Sequence, residues 1–197
     1  GLTKQQKYVL SKELEDTLAI YLVNKCGFEQ VIPTRDSIVT IAKGKNLILP
    51  DLMGIHKNGT EYFIELKCKN RRMFINDNGI DYDKVDVYLE VQKEFNKRVL
   101  LVFLDDEKEW RDVYPNVESF FKDEENNCVY YGNFLDVLNE HTPENSITIS
   151  ENKGQKIKCF PLKDMKKIDS IFVDKQTTLN FGVIMWVQSM NFLNGTK

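Results

Sequence analysis

The sequence has little of what several classes of metal and redox proteins require. Among its 197 residues there are two histidines and four cysteines, and no two cysteines form a C-x-x-C pair. That spacing excludes a zinc ribbon, gives an iron–sulfur cluster no local run of ligands and does not indicate a disulfide framework. The shortage of imidazoles also argues against nucleases with histidine-rich metal sites and against a phosphodiesterase that uses a histidine as general base.

Long apolar runs are missing as well. No stretch reaches the roughly 18 apolar residues that a membrane span needs. The most apolar segment, residues 181–187, is short and is followed by polar residues. The N-terminus lacks the basic, apolar and small-residue order of a signal peptide. These absences predict a cytoplasmic protein that makes no contact with a membrane.

The chain has no excess of positive charge. Its net charge is -3 and its pI is about 5.6, which weighs against a nucleic-acid partner, because lysine and arginine supply most of the affinity for phosphates. The distribution of charge is more informative than the total. Lys67, Lys69, Arg71 and Arg72 lie close together, whereas acidic residues concentrate at 105–109 and 123–125. A nucleic-acid site near the basic segment is therefore compatible with the sequence.

Hydrophobic periodicity predicts an α/β fold with a mixed central sheet flanked by helices. The predicted elements are a helix at 4–26, strands at 31–32, 37–42 and 47–49, hairpin strands at 51–56 and 61–69, a polar loop at 70–81, a helix at 83–96 and a buried strand at 99–104. Beyond residue 105 the patterns weaken to a polar, loop-like stretch at 140–156, a strand at 157–160 and a helix or strand at 179–193. We therefore expect a core in residues 1–105 and a C-terminal α+β extension in residues 106–197, packed on the core as a candidate dimer or substrate element.

One group of residues has the composition and spacing of a catalytic site. Pro50-Asp51 is followed fourteen positions later by Glu65-Leu66-Lys67, on adjacent predicted strands. Two carboxylates can hold a hard divalent cation such as Mg²⁺, which neutralises phosphate charge and activates water. Lys67 lies two residues along the strand from Glu65 and so points to the same face, where it would orient or deprotonate the attacking water.

The turn between the two strands decides whether this site can form. A two-residue turn at Asn58-Gly59 would place Asp51 opposite Leu66, with Asp51 and Glu65 on opposite faces of the sheet. A three-residue loop of residues 57–59, with the glycine left-handed as a bulge, would pair His56 with Thr60 and bring Asp51 opposite Glu65. The x-Asn-Gly sequence suits a type I turn followed by a left-handed glycine, so we predict the second register.

Pro50-Asp51 and Glu65-Leu66-Lys67 resemble the signature of the PD-(D/E)XK, or restriction-endonuclease-like, nuclease superfamily. The helix at 11–26, ending in Gly27-Phe28, is similar to the helix that precedes this motif in archaeal Holliday-junction resolvases. The resemblance spans residues 4–105. It implies a restriction-endonuclease-like core and a Mg²⁺- or Mn²⁺-dependent endonuclease that cuts DNA internally to leave 5′-phosphate and 3′-hydroxyl ends. A homodimer is also plausible, since cutting both strands often uses two copies of such a site.

The resemblance also implies roles for the acidic groups. Asp51 and Glu65 would ligate the metal, and the carbonyl of Leu66 is a candidate third ligand. The first helix of the family supplies a further acidic ligand or supporting group. Glu15 is the best match to it, and the rivals are Glu13 and Asp16.

Other residues are expected around this centre. The family often has a glutamine or lysine on the helix after the E-x-K strand, a role that Gln92 or Lys93 would fill. Lys69, Arg71 and Arg72 follow the motif and are expected to contact phosphates. A catalytically silent module on the same fold, binding nucleic acid or protein, is the alternative, as is a nuclease acting on RNA. The presence of all three motif residues favours activity.

Overall fold

The computed structural model describes residues 3–69, 72, 75–104, 130–149 and 154–172. The first half of the chain comprises α1 (Lys4–Lys25), β1 (Phe28–Pro33), β2 (Ile38–Thr40), β3 (Asn46–Ile48), β4 (Leu52–His56), β5 (Glu61–Cys68), β6 (Asp77–Asp81) and α2 (Tyr82–Phe95). The second half comprises β7 (Arg98–Leu104), β8 (Tyr130–Phe134), α3 (Leu135–His141), β9 (Ile147–Ile149), β10 (Lys156–Pro161), a single 3₁₀ turn (Leu162–Asp164), β11 (Lys166–Lys167) and α4 (Ile168–Ile171).

A six-stranded sheet forms the centre, in the order β1-β4-β5-β7-β8-β11. β5 and β7 are parallel and the other neighbouring strands are antiparallel. The parallel pair needs a crossover, which α2 provides together with β6. The predicted fold class, a mixed α/β sheet flanked by helices, is confirmed.

Helices cover both faces of this sheet. α2 and α3 pack on the face that carries the odd-numbered residues of β7, Val99, Leu101 and Phe103, and α1 packs through Leu18 and Leu22 on the other face. Because β7 is covered on both sides, its sequence is a continuous apolar run, as predicted. None of the described helices is both long and apolar enough to cross a membrane.

The hairpin of β4 and β5 has the predicted register. Leu52 pairs with Ile64, which sets Asp51 opposite Glu65 at the next position. The His56 N–H donates to the Thr60 carbonyl at 2.9 Å, and the loop between them contains three residues. Gly59 adopts φ 83°, the left-handed conformation that the bulge requires. Both carboxylates therefore project from one face of the sheet.

The predicted polar loop at 70–81 is wrong at its end, because residues 77–81 form β6. β6 pairs with β10 in a second, three-stranded sheet with β9, which itself lies in the stretch predicted as loop-like. β6 has only one apolar side chain, Ile80, so periodicity could not identify it. Gly79 is required there: a Cβ at this position would lie 2.1 Å from the carbonyl oxygen of Lys158.

Two of the strands described beyond residue 105, β8 and β11, belong to the central sheet. β8 pairs with β7 and β11 pairs with β8, and residues of α3 and β10 share the core of α2. The described part of the expected C-terminal extension is thus continuous with the core, and the division of the chain at residue 105 stays a prediction. The segment predicted as helix or strand at 179–193 lies outside the described residues.

Replacing Gly59 tests the bulge. We expect Gly59→Ala to lower the free energy of unfolding by about 1 kcal/mol, because a Cβ is disfavoured at positive φ. Urea unfolding measures the change. Lys57→Ala, an exposed position in the same loop, is the control and should stay within about 0.5 kcal/mol of the parent. Equal losses in the two variants would contradict the assigned turn.

Candidate active site

A pocket of about 370 Å³ opens where α1, the loop after β1, the start of β4, the end of β5 and the start of α2 meet. Its charged and phenolic lining consists chiefly of Glu15, Arg35, Asp51, Lys67, Lys84 and Tyr88. These side chains come from five separate segments, so the pocket exists only in the folded chain. Two of them, Asp51 and Lys67, belong to the motif that the sequence singled out.

Asp51 is fixed through its backbone and its side chain. Its carbonyl accepts hydrogen bonds from the amides of Thr34 at 2.8 Å and Arg35 at 2.9 Å, and its Oδ2 accepts from the Leu66 amide at 2.9 Å. Burial, followed by the negative charge of Glu65, raises the pKa of Asp51 to about 7, although the Leu66 amide opposes the shift. The site thus disfavours the charged form of Asp51, mainly through burial.

Glu65 is almost completely buried, at 1% exposure, and faces two ammonium groups. Its Oε1 lies 2.6 Å from Nζ of Lys67 and 3.1 Å from Nζ of Lys84. Burial alone would raise the pKa of Glu65, but the two lysines outweigh it and hold the pKa below its usual value. The second oxygen, Oε2, is buried and has no hydrogen-bond partner.

Lys67 is cationic in this arrangement. Burial by itself lowers the pKa of Lys67, but the adjacent Glu65 carboxylate more than compensates and the net shift is upward. Its side chain keeps 24% exposure and lines the pocket. The ammonium group is therefore held between a buried carboxylate and the open space of the pocket.

Glu15 is the acidic residue of α1 that faces the pocket. It is 5% exposed, whereas Glu13 and Asp16 are on the exposed side of the helix. Its Oε1 lies 3.1 Å from Nη1 of Arg35. Burial raises the pKa of Glu15, Arg35 partly opposes the shift, and the charge of Glu65 adds to it.

The pocket and the buried residue beside it offer the type of ligand atom that a hard divalent cation prefers. Asp51 and Glu65 offer oxygen ligands, which Mg²⁺ prefers. Glu65 Oε2 has no hydrogen-bond partner, and burial followed by the charge of Glu65 disfavours the ionised form of Asp51, so a cation would stabilise both groups. Within the described ranges, no three His, Cys, Asp or Glu side chains already converge as a metal cluster, because Glu15 is turned to Arg35 and Glu65 to its lysines.

Sequence reasoning missed three residues of this pocket. Lys84 and Tyr88 lie one helical turn apart on α2, and the Lys84 ammonium donates to the Tyr88 hydroxyl at 3.2 Å. Tyr88 lies on the buried face of α2 with Val85 and Val91, so its i−4 neighbour is a candidate for the pocket that the sequence offers. Arg35 sits in an irregular loop, and no local pattern indicates its approach to Glu15.

The structure does not bring Gln92 and Lys93 into the pocket, which corrects their expected position. The Gln92 side-chain oxygen accepts from the Val99 amide at 3.1 Å, and its nitrogen donates to Asp136 at 3.2 Å. Val99 is near the start of β7, beside Phe63 and away from the end of β5 that bears Lys67. Gln92 is therefore a hydrogen-bonded link between α2, β7 and α3, and Lys93 is exposed without lining the pocket.

The basic residues after the motif have other surroundings. Nε of Arg72 donates to Asp77 at 2.7 Å, and the ion pair largely neutralises the guanidinium. Lys69 is exposed at the end of β5 and also does not line the pocket. Arg71 lies outside the described residues. Phosphate contacts by Lys69 and Arg71 stay predictions, and Arg72 would have to leave Asp77 to make one.

Asp51→Asn should stabilise the metal-free protein in a pH-dependent way. The folded-state pKa of Asp51, about 7, lies above the ordinary aspartate value of 3.8, so between these two pH values the folded chain holds a proton that the unfolded chain has released. Asp51 therefore costs stability progressively as pH rises through this window and keeps that cost above it. In EDTA at about pH 8, the free energy of unfolding in urea should be higher for the Asp51→Asn variant than for the parent by on the order of 1–3 kcal/mol. This difference should shrink towards about pH 4. Asp86→Asn, at an exposed site on α2, should show no such gain. A pH-independent difference would contradict the assigned environment of Asp51.

No protein-family model matches the chain, and no curated protein matches it either. Among solved structures, the chain is similar to Hjc, a Holliday junction resolvase from the archaeal hyperthermophile Archaeoglobus fulgidus. The two chains are 12% identical, the alignment covers 81% of this chain and 98% of that chain, and the TM-score is 0.48. These comparisons do not place the chain in a family, and its functional assignment depends on the chemistry of the pocket.

Proposed function

We propose that this protein is a metal-dependent endonuclease of the PD-(D/E)XK type that hydrolyses phosphodiester bonds in DNA. One observation carries the proposal: the bulged hairpin sets Asp51 opposite Glu65, and the Lys67 ammonium, which lines the pocket with Asp51, lies 2.6 Å from the buried Glu65. Two carboxylates and an amine at one face match the requirements of phosphodiester hydrolysis, which are charge neutralisation, an activated water and a stabilised leaving oxygen.

Asp51 and Glu65 would hold the metal, Mg²⁺ or Mn²⁺, with the Leu66 carbonyl as a third ligand and Glu15 completing the acidic group. When bound, the ion would supply Lewis-acid neutralisation of the phosphate and lower the pKa of a water. The Leu66 amide already orients the Asp51 carboxylate, leaving Oδ1 free of that bond. The bare Oε2 of Glu65 supplies a second ready donor.

The cations of the pocket divide the remaining work. Lys67 is placed to orient the attacking water as a cation, since it lies beside Glu65 and reaches the pocket. Lys84 contacts the same carboxylate and would bind a phosphate oxygen of the substrate. Arg35 neutralises Glu15 and lines the pocket, where its guanidinium would face the neighbouring phosphate. A homodimer would place two such sites on two strands.

A second candidate function is a catalytically silent binding module on the same fold. The ion pairs of Glu65 with Lys84 and Lys67, and of Glu15 with Arg35, favour this second candidate. Both of these glutamates already have a protein cation beside them. The two candidates differ in whether the pocket takes up a divalent ion. They therefore also differ in whether the protein cleaves any nucleic acid.

Cleavage assays distinguish these candidates. The protein is incubated with supercoiled plasmid, branched DNA, single-stranded DNA and RNA in Mg²⁺, Mn²⁺ or EDTA. We expect metal-dependent cuts in DNA that Asp51→Ala and Lys67→Ala each reduce by about a hundredfold or more, because each removes a group that acts on the reacting phosphate or water. Cleavage that survives EDTA or either substitution would refute the mechanism. Absence of cleavage on every substrate would favour the silent module, and cleavage of RNA alone would reassign the substrate.

Metal binding can be followed without activity. We expect millimolar Mg²⁺ to raise the thermal midpoint of the parent protein, since an ion that binds only the folded state stabilises it. Asp51→Asn and Glu65→Gln should each remove that increase, because they remove an anionic ligand. Asp86→Asn should keep it. A rise that is equal in all four proteins would show that the ion binds elsewhere.

Lys84 and Lys93 form a matched pair on α2. Lys84→Ala should lower kcat/KM by about tenfold or more, as expected when a cation that faces the reacting phosphate is removed. Lys93→Ala should leave kcat/KM close to that of the parent, because Lys93 is exposed and does not line the pocket. Steady-state cleavage of one DNA substrate measures both. An equal loss of kcat/KM in the two variants would show that Lys93 also contributes to the site.

A further inference from the structure

Part of the pocket lining is apolar. The hairpin of β2 and β3 presents Ile38 and Ile48 as a cross-strand pair, and Ile48 lines the pocket. The two side chains are 63% and 51% exposed. Tyr8 on α1 is 50% exposed, and the guanidinium of Arg35, which also lines the pocket, lies 4.7 Å from its ring centroid. We call Tyr8, Ile38 and Ile48 the apolar rim.

The fold does not need these isoleucines where they are. The inward face of the hairpin holds it to the core through Leu47, which is fully buried, and Leu49 and Ile41 pack beside it. On the outward face, the next cross-strand pair is Thr40 and Asn46, joined by a hydrogen bond of 2.7 Å. A polar cross-strand pair is therefore compatible with this face of the hairpin. The apolar pair beside the pocket exposes surface that a ligand could cover.

We propose that the apolar rim contacts an unpaired nucleobase of the DNA strand whose phosphate enters the pocket. The inference rests on the proposed function and names its substrate class as single-stranded or locally unpaired DNA. A duplex hides the faces of its bases in stacking and presents phosphates and sugars. An unpaired base exposes a flat apolar face that side chains can cover, and the adjoining phosphate would meet Arg35, Lys67 or Lys84.

Charge supports the same choice. Affinity for duplex DNA comes largely from many phosphate contacts, and this chain has a net charge of -3. The three cations that line the pocket already face carboxylates, Arg35 facing Glu15 and the two lysines facing Glu65. The charge of each of these three cations is thus partly neutralised, so contacts to a base would add binding that the paired cations do not supply.

Binding in EDTA, where the proposed chemistry is stopped, tests the inference separately from cleavage. Fluorescence anisotropy compares a labelled DNA strand, the same strand annealed to its complement, and the same strand with abasic positions. We expect the intact strand to bind about tenfold more tightly than either, because only it offers unpaired bases. Its affinity should also depend less steeply on salt than that of the duplex.

Variants with matched controls locate the contact. Ile38→Thr combined with Ile48→Thr keeps β-branched side chains and should remove the preference for the intact strand. Ile147→Thr combined with Ile149→Thr changes two exposed isoleucines of β9, in the second sheet, and should keep it. Tight binding of the intact strand without metal-dependent cleavage would contradict the proposed catalytic function and would still support the contact with the base.

Several results would overturn the inference. They are equal or tighter binding of the duplex, undiminished binding of the abasic strand, and equal effects of the two double variants. Failure of the parent protein to bind any of the three DNAs would do the same. If sedimentation showed a dimer that the Ile38 and Ile48 changes convert into a monomer, the pair would belong to a contact between two copies of the chain.

Discussion

Two carboxylates held side by side away from bulk water are the constraint on which the rest of this structure depends. Asp51 and Glu65 repel one another, and burial penalises the charge of each. Lys67 and Lys84 compensate Glu65, whereas Asp51 has only one backbone amide and distant cations to oppose the shift of its pKa to about 7. The pocket therefore carries an unrelieved electrostatic cost, and such sites are common where proteins bind ions or perform chemistry.

The scaffold holds that arrangement in place from several directions. The bulge at Gly59 sets the register of β4 and β5, and the amides of Thr34 and Arg35 fix the backbone of Asp51. β5 lies inside a sheet covered by helices on both faces, so the site is built on a buried strand of the core. A site on such elements keeps its geometry, and the surrounding loops and the β2–β3 hairpin can be used for substrate contacts.

The pocket combines hydrated charge with exposed apolar surface, and each part suits a different portion of a nucleotide. Lysine and arginine suit a phosphate, and the rim of Tyr8, Ile38 and Ile48 suits a base. The proposed function thus assigns one phosphate to the cations of the pocket and one base to the rim, an arrangement that does not require an excess of positive charge over the whole chain.

Local patterns were enough for much of this protein. The period of apolar residues determined α1, α2 and β7, and Asn58-Gly59 determined the turn, because these features depend on near neighbours in the chain. The Asp51–Glu65 register followed from that turn. The tertiary structure alone decided β6, whose polar sequence is a strand only because β10 pairs with it, and the continuity of β8 with the central sheet. It also decided that Lys84 and Arg35, rather than Gln92 and Lys93, reach the pocket, because contacts between segments distant in sequence leave no periodic signal in any one of them.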